Sequence, residues 1–353
     1  VLVVAMVWGM VLARRLRKVN VKQSEAQKEQ EDPILPMERK QQRLLDRQLA
    51  ALKSNLPGRK GIYRLPWYLV MGLEDAGKTS LIQRSGQTYT LTNVTRNNRG
   101  DRNAFGFDWW IGDDGVLIDP DGELLSQSQG EGAGAEIQQR LWNHFIAWLE
   151  RNRPQRPLNG VVLTIDLARL SVADPDQRRD RAILLRTRLR ELMEQIGSRL
   201  PVYVTFTKMD LLYGFGPLVR TLSKQEKDQA LGFTFSLENQ MDSDDWLSQF
   251  VDRYTALVER LTDRLPDVLA NTRDAEERAA AYSFTRQLAG LKPVLEQFLT
   301  DLLSADVFST PAMVRGTFFT SVLQEGVPED AFVSAAAANY QIAEPTRLGM
   351  ISY

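Results

Sequence analysis

The chain has 353 residues, 43% of them hydrophobic, with 45 acidic against 44 basic residues, a single histidine and no cysteine. That length holds two or three ordinary domains with a substantial buried core, which excludes a disordered chain. The balanced charge excludes a broad nucleic-acid footprint, and the missing cysteines exclude disulfides and thiol chemistry and argue against a zinc site.

Residues 1–13, VLVVAMVWGMVLA, carry no charge and are followed at once by Arg14, Arg15, Arg17 and Lys18. A helix of that length rises only about 20 Å against a hydrocarbon core of ~30 Å, and the chain starts at Val1 without an initiator methionine. The segment is therefore read as part of a transmembrane helix whose cytoplasmic end is marked by the basic cluster. The alternatives are a buried helix and a signal-peptide core, the latter fitting less well since its basic residues would precede the apolar run. Polar residues interrupted by Pro33 and Pro36 read as a tether. MERKQQRLLDRQLAALKSNL then predicts a helix with Leu44, Leu45, Leu49 and Leu52 at helical spacing, stopped by Pro57 and Gly58.

YRLPWYLVMG predicts a first core strand, and FGFDWWIGDDGVLIDPDGE predicts two strands bent at Gly112 to Gly115. Further on, NGVVLTIDLARL and PVYVTFTKMDLL predict core strands on either side of the charged helix DPDQRRDRAILLRTRLRELMEQIG. Apolar runs that end in polar or acidic residues, with helices between, predict an α/β fold. Its doubly wound, mostly parallel sheet is covered on both faces, with the ligand beyond the carboxyl ends of the strands. From about residue 242 helical patterns take over, up to the alanine-rich SAAAANY. The expected units are a truncated span at 1–13, a basic segment, tether and helix at 14–60, a sheet domain at 61–241 and a helical extension at 242–353.

Gly72-Leu-Glu-Asp-Ala-Gly77-Lys78-Thr79 matches the full phosphate-loop pattern between a strand and a helix-compatible SLIQR, so the sheet is expected to be that of a P-loop NTPase. The two glycines let backbone wrap around phosphate oxygens, with Ser80 just inside the helix. Lys78 reaches the terminal phosphates and the Thr79 hydroxyl completes magnesium coordination. In VLIDPDGE a strand delivers Asp119 as a second magnesium ligand, and Gly122 brings an amide toward a terminal phosphate; the plainer reading of that segment is a capped turn. Thr207-Lys208-Met209-Asp210 resembles the base-recognition motif of small GTPases, with the Lys208 stem along the ring and Asp210 accepting from the base edge. The three landmarks stand in small-GTPase order. Either GTP or ATP, with Mg2+, is the expected ligand, because adenine is accommodated when the rest of the pocket differs. Glu74 and Asp75 weaken phosphate affinity if they point inward.

Several long stretches go further. PWYLV at 66–70, FDWWIGDDGVLID at 107–119, LNGVVLTIDLARL at 158–170, PVYVTFTKMDLLYGF at 201–215, SKQEKDQALGFTFS at 223–236 and RGTFFTSVLQEG at 315–326 resemble the IcmF/TssM family, the inner-membrane component of the type VI secretion apparatus. The resemblance implies a bacterial inner-membrane protein whose cytoplasmic GTPase-like domain faces a baseplate. It implies an inner-membrane partner subunit, baseplate proteins and assembly into a multimeric complex. An outer-membrane lipoprotein would be met through a periplasmic region beyond this chain. No nucleic-acid partner is expected. Many relatives have degenerate phosphate loops, so hydrolysis does not follow from membership.

Departures keep three readings open: a nucleotide-binding scaffold, a purely structural module with a vestigial site, and an active assembly-driving NTPase. Pro120 and Asp121 stand where GTPases usually carry threonine and alanine; proline donates no backbone hydrogen bond and Asp121 adds negative charge. Glu123 is a poor substitute for a water-orienting glutamine, and Thr92 and Thr95 serve equally well as switch threonines or ordinary turn hydroxyls. His144 reads as a packed helix residue, Trp109 and Trp110 as sheet packing, and the arginines of 178–192 as stems flanking the sheet.

Overall fold

The computed structural model describes residues 32–56, 58, 61–89, 107–127, 133–227, 229–236, 245–304 and 312–321. The apolar segment at 1–13, the basic and polar stretch up to residue 31, Thr92, Thr95 and SAAAANY lie outside the described residues. Among those described, no helix is long and apolar enough to cross a membrane.

Helix α1 (Leu35–Asn55) carries Pro36 in its first turn, where a missing N–H removes no helical bond, and buries Gln41, Leu45, Leu49 and Leu52. Strand β1 (Trp67–Met71) runs through a glycine-rich turn into α2 (Lys78–Gln83). Strands β2 (Phe107–Ile111) and β3 (Val116–Pro120) form the expected hairpin, with the Gly112 amide donating to the Gly115 carbonyl at 3.0 Å. Then follow α3 (Gly122–Ser126), α4 (Ala133–Asn152), β4 (Gly160–Asp166), α5 (Leu167–Val172), α6 (Pro175–Ile196) and β5 (Pro201–Thr207). Beyond them lie α7 (Phe215–Arg220), α8 (Lys224–Lys227), β6 (Gly232–Thr234), α9 (Asp245–Asp263), α10 (Leu265–Asn271), α11 (Ala275–Leu303) and β7 (Met313–Phe319).

The seven strands form one sheet in the order β2-β3-β1-β4-β5-β7-β6. Pairing is parallel from β3 through β7 and antiparallel at both edges, β2 on β3 and β6 on β7. The chain first adds strands on one side of β1 and then on the other, which makes the carboxyl end of β1 a topological switch point, the place where ligands of open α/β sheets collect. Strand β7 enters between β5 and β6, a placement at odds with ending the sheet domain at 241. Helices α9 to α11 are inserted within the sheet's connectivity, and Phe319 stacks on Phe206 at 5.2 Å and approaches Tyr254 of α9 at 5.7 Å.

Strand periodicity divides the core. Trp67, Leu69, Met71, Val161, Leu163, Ile165, Val202, Val204 and Phe206 join one large cluster with the buried residues of α1, α4, α6, α9 and α11. The intervening Val70 lies in a smaller cluster with Ile82 of α2 and Trp110 of β2. The expected cover on both faces is therefore unequal among the described residues, because the buried apolar residues of α3 to α6, α9 and most of α11 lie in the large cluster, while Leu265 and Val268 of α10 form a separate cluster with Ala281. Trp67, Trp109 and Trp148 meet edge to face at 5.1 and 6.0 Å, contacts worth about 1 kcal/mol each beyond area burial.

A polar ladder fastens α1 to α4. Arg140 pairs with Glu38 at 2.7 Å and with Asp32, His144 Nδ1 shares a 2.6 Å hydrogen bond with Gln41 Oε1, and Trp148 Nε1 donates to Asp46 at 2.8 Å. The α4 positions are four apart, and their partners rise in number with them, so the two helices run parallel.

Candidate functional site

Between β1 and α2 the chain has little freedom. A side chain added at Gly72 would place its Cβ 2.1 Å from Thr164 Oγ1 and 2.7 Å from the Thr164 carbonyl, so only glycine fits against β4. Gly77 takes the left-handed φ of 77° as the cap of α2, and Asp75 also has a positive φ, 60°. Thr207, at the end of β5, donates to the Ala76 carbonyl at 2.7 Å and ties the turn to the neighbouring strand.

The turn encloses charge. Lys78 is buried and donates to the Gly72 carbonyl at 2.7 Å; burial pulls its ammonium below the ordinary lysine value, against the opposing pull of Asp119, Asp121, Glu74 and Asp75. Thr79 Oγ1 donates to Asp119 Oδ2 at 2.7 Å. Asp119 is 5% exposed, and burial raises its carboxyl to about 6 although Lys78 and the Thr79 bond pull the other way. Its second oxygen, Oδ1, is buried with no hydrogen-bond partner. An orphaned carboxylate oxygen beside a threonine hydroxyl is a hard-oxygen donor set that fits Mg2+, a cation that takes one or two protein ligands and completes its shell with water or phosphate. Ser80 follows on α2, half-buried.

Pro120 ends β3 opposite Phe107. Asp121 caps α3, accepting from the Glu123 amide at 3.4 Å, so its carboxylate is engaged locally. Gly122 is packed against the turn: an added Cβ would lie 2.9 Å from the Cα, Cγ and N of Glu74. Ser126 Oγ donates to Glu74 Oε1 at 3.2 Å. Glu74 and Asp75 are exposed, and so is Glu123.

At the other end, Lys208 has left-handed backbone, φ 60° and ψ 37°, and its Nζ pairs with Asp166 Oδ2 at 2.8 Å. Asp210 Oδ1 accepts from Ser321 Oγ at 2.7 Å. A cavity of about 1140 Å³ has Asp210, Thr320 and Ser321 on its wall together with Phe215, Leu257 and Phe284; Leu81 also lines it, from α2. Sequence reasoning missed Thr164, Asp166 and Ser321. The first two are ordinary strand residues, and Ser321 meets Asp210 only because β7 returns to the middle of the sheet.

The remaining residues singled out from sequence are packing groups. Trp109 and Trp110 are buried, and His144 is half-buried with its imidazole held below its ordinary value by that burial. In α6, Leu185, Leu189 and Leu192 face the core while Arg188 pairs with Glu191 and Arg186 donates to the Asp301 and Ser304 carbonyls.

Among solved structures, the chain is similar to the signal recognition particle receptor SRb-GTP/SRX complex from Chaetomium thermophilum, 19% identical over 50% of this chain and 85% of that one, with a TM-score of 0.26. A GTP-binding protein from Sulfolobus solfataricus in complex with GDP is 19% identical over 43% of this chain and 38% of that one, with a TM-score of 0.22. Similarity to the type VI secretion system component TssM1 of Pseudomonas aeruginosa is far stronger, 33% identity over 306 residues, 84% of this chain. The chain spans 27% of the length of that relative. The IcmF-related N-terminal domain matches residues 135–349, from α4 onward. That match covers more than half of the sequence and agrees with the identity to TssM1: the chain belongs to the IcmF/TssM family.

Proposed function

We propose that this chain is part of a membrane-anchored scaffold of a type VI secretion membrane complex, and that its sheet is a small-GTPase-like P-loop domain that binds a nucleoside triphosphate with Mg2+. The observation that carries the reading is the Lys78–Thr79–Asp119 group at the carboxyl end of β1, with the Thr79–Asp119 bond at 2.7 Å and the second Asp119 oxygen buried and unpartnered. Gly72, Gly77 and Lys78 hold the phosphates, Ser80 and Gly122 flank them, Thr79 and Asp119 hold Mg2+, and Lys208 and Asp210 meet the base. Bound Mg2+ supplies charge neutralisation of the phosphates. In the assembled complex this portion faces the cytoplasm of the inner membrane and touches baseplate proteins and the inner-membrane partner subunit. The lipoprotein belongs to the length of the family outside this chain.

The chain's own residues favour binding over turnover: Glu123 is exposed and engaged only through its backbone, and Pro120 has no amide hydrogen to offer. A purely structural module with a vestigial site is the second reading, favoured by Gly122 lying against Glu74 where a phosphate would need its amide. Calorimetry of GTP, GDP and ATP with Mg2+ separates them. Micromolar binding that is lost in Lys78→Ala supports the live site and identifies its base. Absence of binding at millimolar nucleotide, with both proteins folded, leaves the structural module.

A further inference from the structure

The Asp210 end holds a second carboxylate that the nucleotide reading does not use. Asp166 closes β4 and stands opposite Thr207 in the parallel register of β4 and β5, one residue before Lys208. Both of its oxygens are committed: Oδ1 accepts from the Arg169 amide at 2.9 Å and caps α5, while Oδ2 pairs with Lys208 Nζ at 2.8 Å. The two paired side chains are 14% and 12% exposed, so the ion pair is largely shielded from solvent. Lys208 itself sits at φ 60°, a conformation that costs a side-chain-bearing residue about 1 kcal/mol or more and persists only where neighbours hold it. Three independent contacts surround this strained residue: Thr207 to the Ala76 and Ile165 carbonyls, Lys208 to Asp166, and Asp210 to Ser321. The lysine stem is thus fixed before any ligand arrives, and groups already in their bound geometry lose less freedom on binding.

We propose that Asp166 is a positioning residue for base binding: its carboxylate pins Lys208 in the left-handed conformation that lays the lysine stem as a platform for the ring of a nucleotide. This rests on the nucleotide reading given above and adds a residue and a cause to it. The platform serves the base and not the phosphates, so losing it weakens ligands in proportion to what their base contributes.

Asp166→Asn tests this cleanly, because asparagine caps a helix as well as aspartate while abolishing the charge that holds Lys208. Two readouts are taken on the whole chain. In the first, amine labelling followed by mass spectrometry, with exposed Lys53 as reference, reports the freedom of Lys208 without any ligand. Labelling of Lys208 is expected to rise several-fold in Asp166→Asn and to return toward the native rate in Asp166→Glu. In the second, Mg2+ complexes of GTP, GDP and ATP are titrated beside tripolyphosphate. Whichever nucleotides bind the native chain are expected to weaken about tenfold in Asp166→Asn, ~1.4 kcal/mol, while tripolyphosphate stays within about twofold. Unchanged labelling of Lys208, or equal weakening of nucleotide and tripolyphosphate, overturns the inference alone. A native chain that binds tripolyphosphate but no nucleotide, or neither, overturns the nucleotide reading itself.

Discussion

The glycine-turn end and the Asp210 end of the candidate site are built on opposite principles. At the turn, charges are buried and left incomplete: Lys78 is satisfied by a backbone carbonyl, and Asp119 keeps one oxygen without a partner. At the Asp210 end each singled-out side chain is already matched, Lys208 to Asp166 and Asp210 to Ser321. An incomplete buried carboxylate is costly until something supplies the missing charge, whereas a matched pair is stable as it stands. The contrast teaches that a ligand should alter the stability of the first end far more than that of the second.

The largest break in that contrast is expected from Gly72→Ala. Its new methyl would collide with both the hydroxyl and the backbone carbonyl of Thr164, and the backbone cannot swing aside as a side chain can. A loss of about 3 kcal/mol or more of folding stability follows, read by denaturant unfolding, and Thr164→Ala should restore only part of it. A near-native midpoint for Gly72→Ala would mean that the turn is looser than its packing indicates.

Next in size is the pH dependence of Asp119. Its carboxyl titrates near 6 in the folded chain against an ordinary 3.8, so the folded state holds a proton that the unfolded state releases between those values. Stability from this group is therefore present at acid pH and is lost as pH rises through that window. Relative to Asp119→Asn, the native chain should lose roughly 2 kcal/mol between pH 4 and pH 7 in the absence of divalent cations. Millimolar Mg2+ should recover much of that loss, since the ion needs the ionised form. Parallel stability curves for the two proteins would remove the incomplete carboxylate from the account.

Gly122→Ala should have a smaller effect, about 1–2 kcal/mol, by pushing the short helix α3 away from Glu74. Hydrogen exchange at the amides of α3 would rise, and exchange in β4 would not. Smallest is Ser321→Ala at the matched end. Removing one exposed hydroxyl from Asp210 is expected to cost under about 1 kcal/mol of stability. Its measurable effect should fall on nucleotide affinity, by a few-fold in calorimetry.

Much of this was legible before any coordinates. The turn from Gly72 to Thr79 announces itself because glycine, lysine and threonine at fixed spacing serve one local geometry, and β1 through β5 follow from apolar runs with the right lengths and stops. The hairpin bend at Gly112 to Gly115 falls where the acidic turn predicts it. Strand β7 escaped because the long helical stretch before it suggested a separate unit, and nothing local in MVRGTFF says which strand it will lie beside. Asp166 and Ser321 escaped for the same physical reason: their roles are contacts across strands, and the Ser321–Asp210 bond joins positions 111 residues apart. The engaged state of Asp121 as a helix cap was readable in type but not in place, since an aspartate before a glycine serves a cap and a phosphate-repelling charge equally well from sequence.

Strand β7 also sets an order of events. It lies between β5 and β6 yet emerges from the ribosome after both, separated from β5 by residues 208–312, which hold helices α7 to α11 and strand β6, and closing so long a loop is slow. Until it arrives, β5 is an open edge with Phe206 lacking its stacking partner, and Asp210 lacks Ser321. The helical layer must consequently fold around a sheet with a gap in it, and the last strand among the described residues is the one that completes the Asp210 end. A nascent chain thus acquires its glycine turn early and completes the Asp210 end only once β7 has been made, which keeps a shorter chain from presenting both ends together.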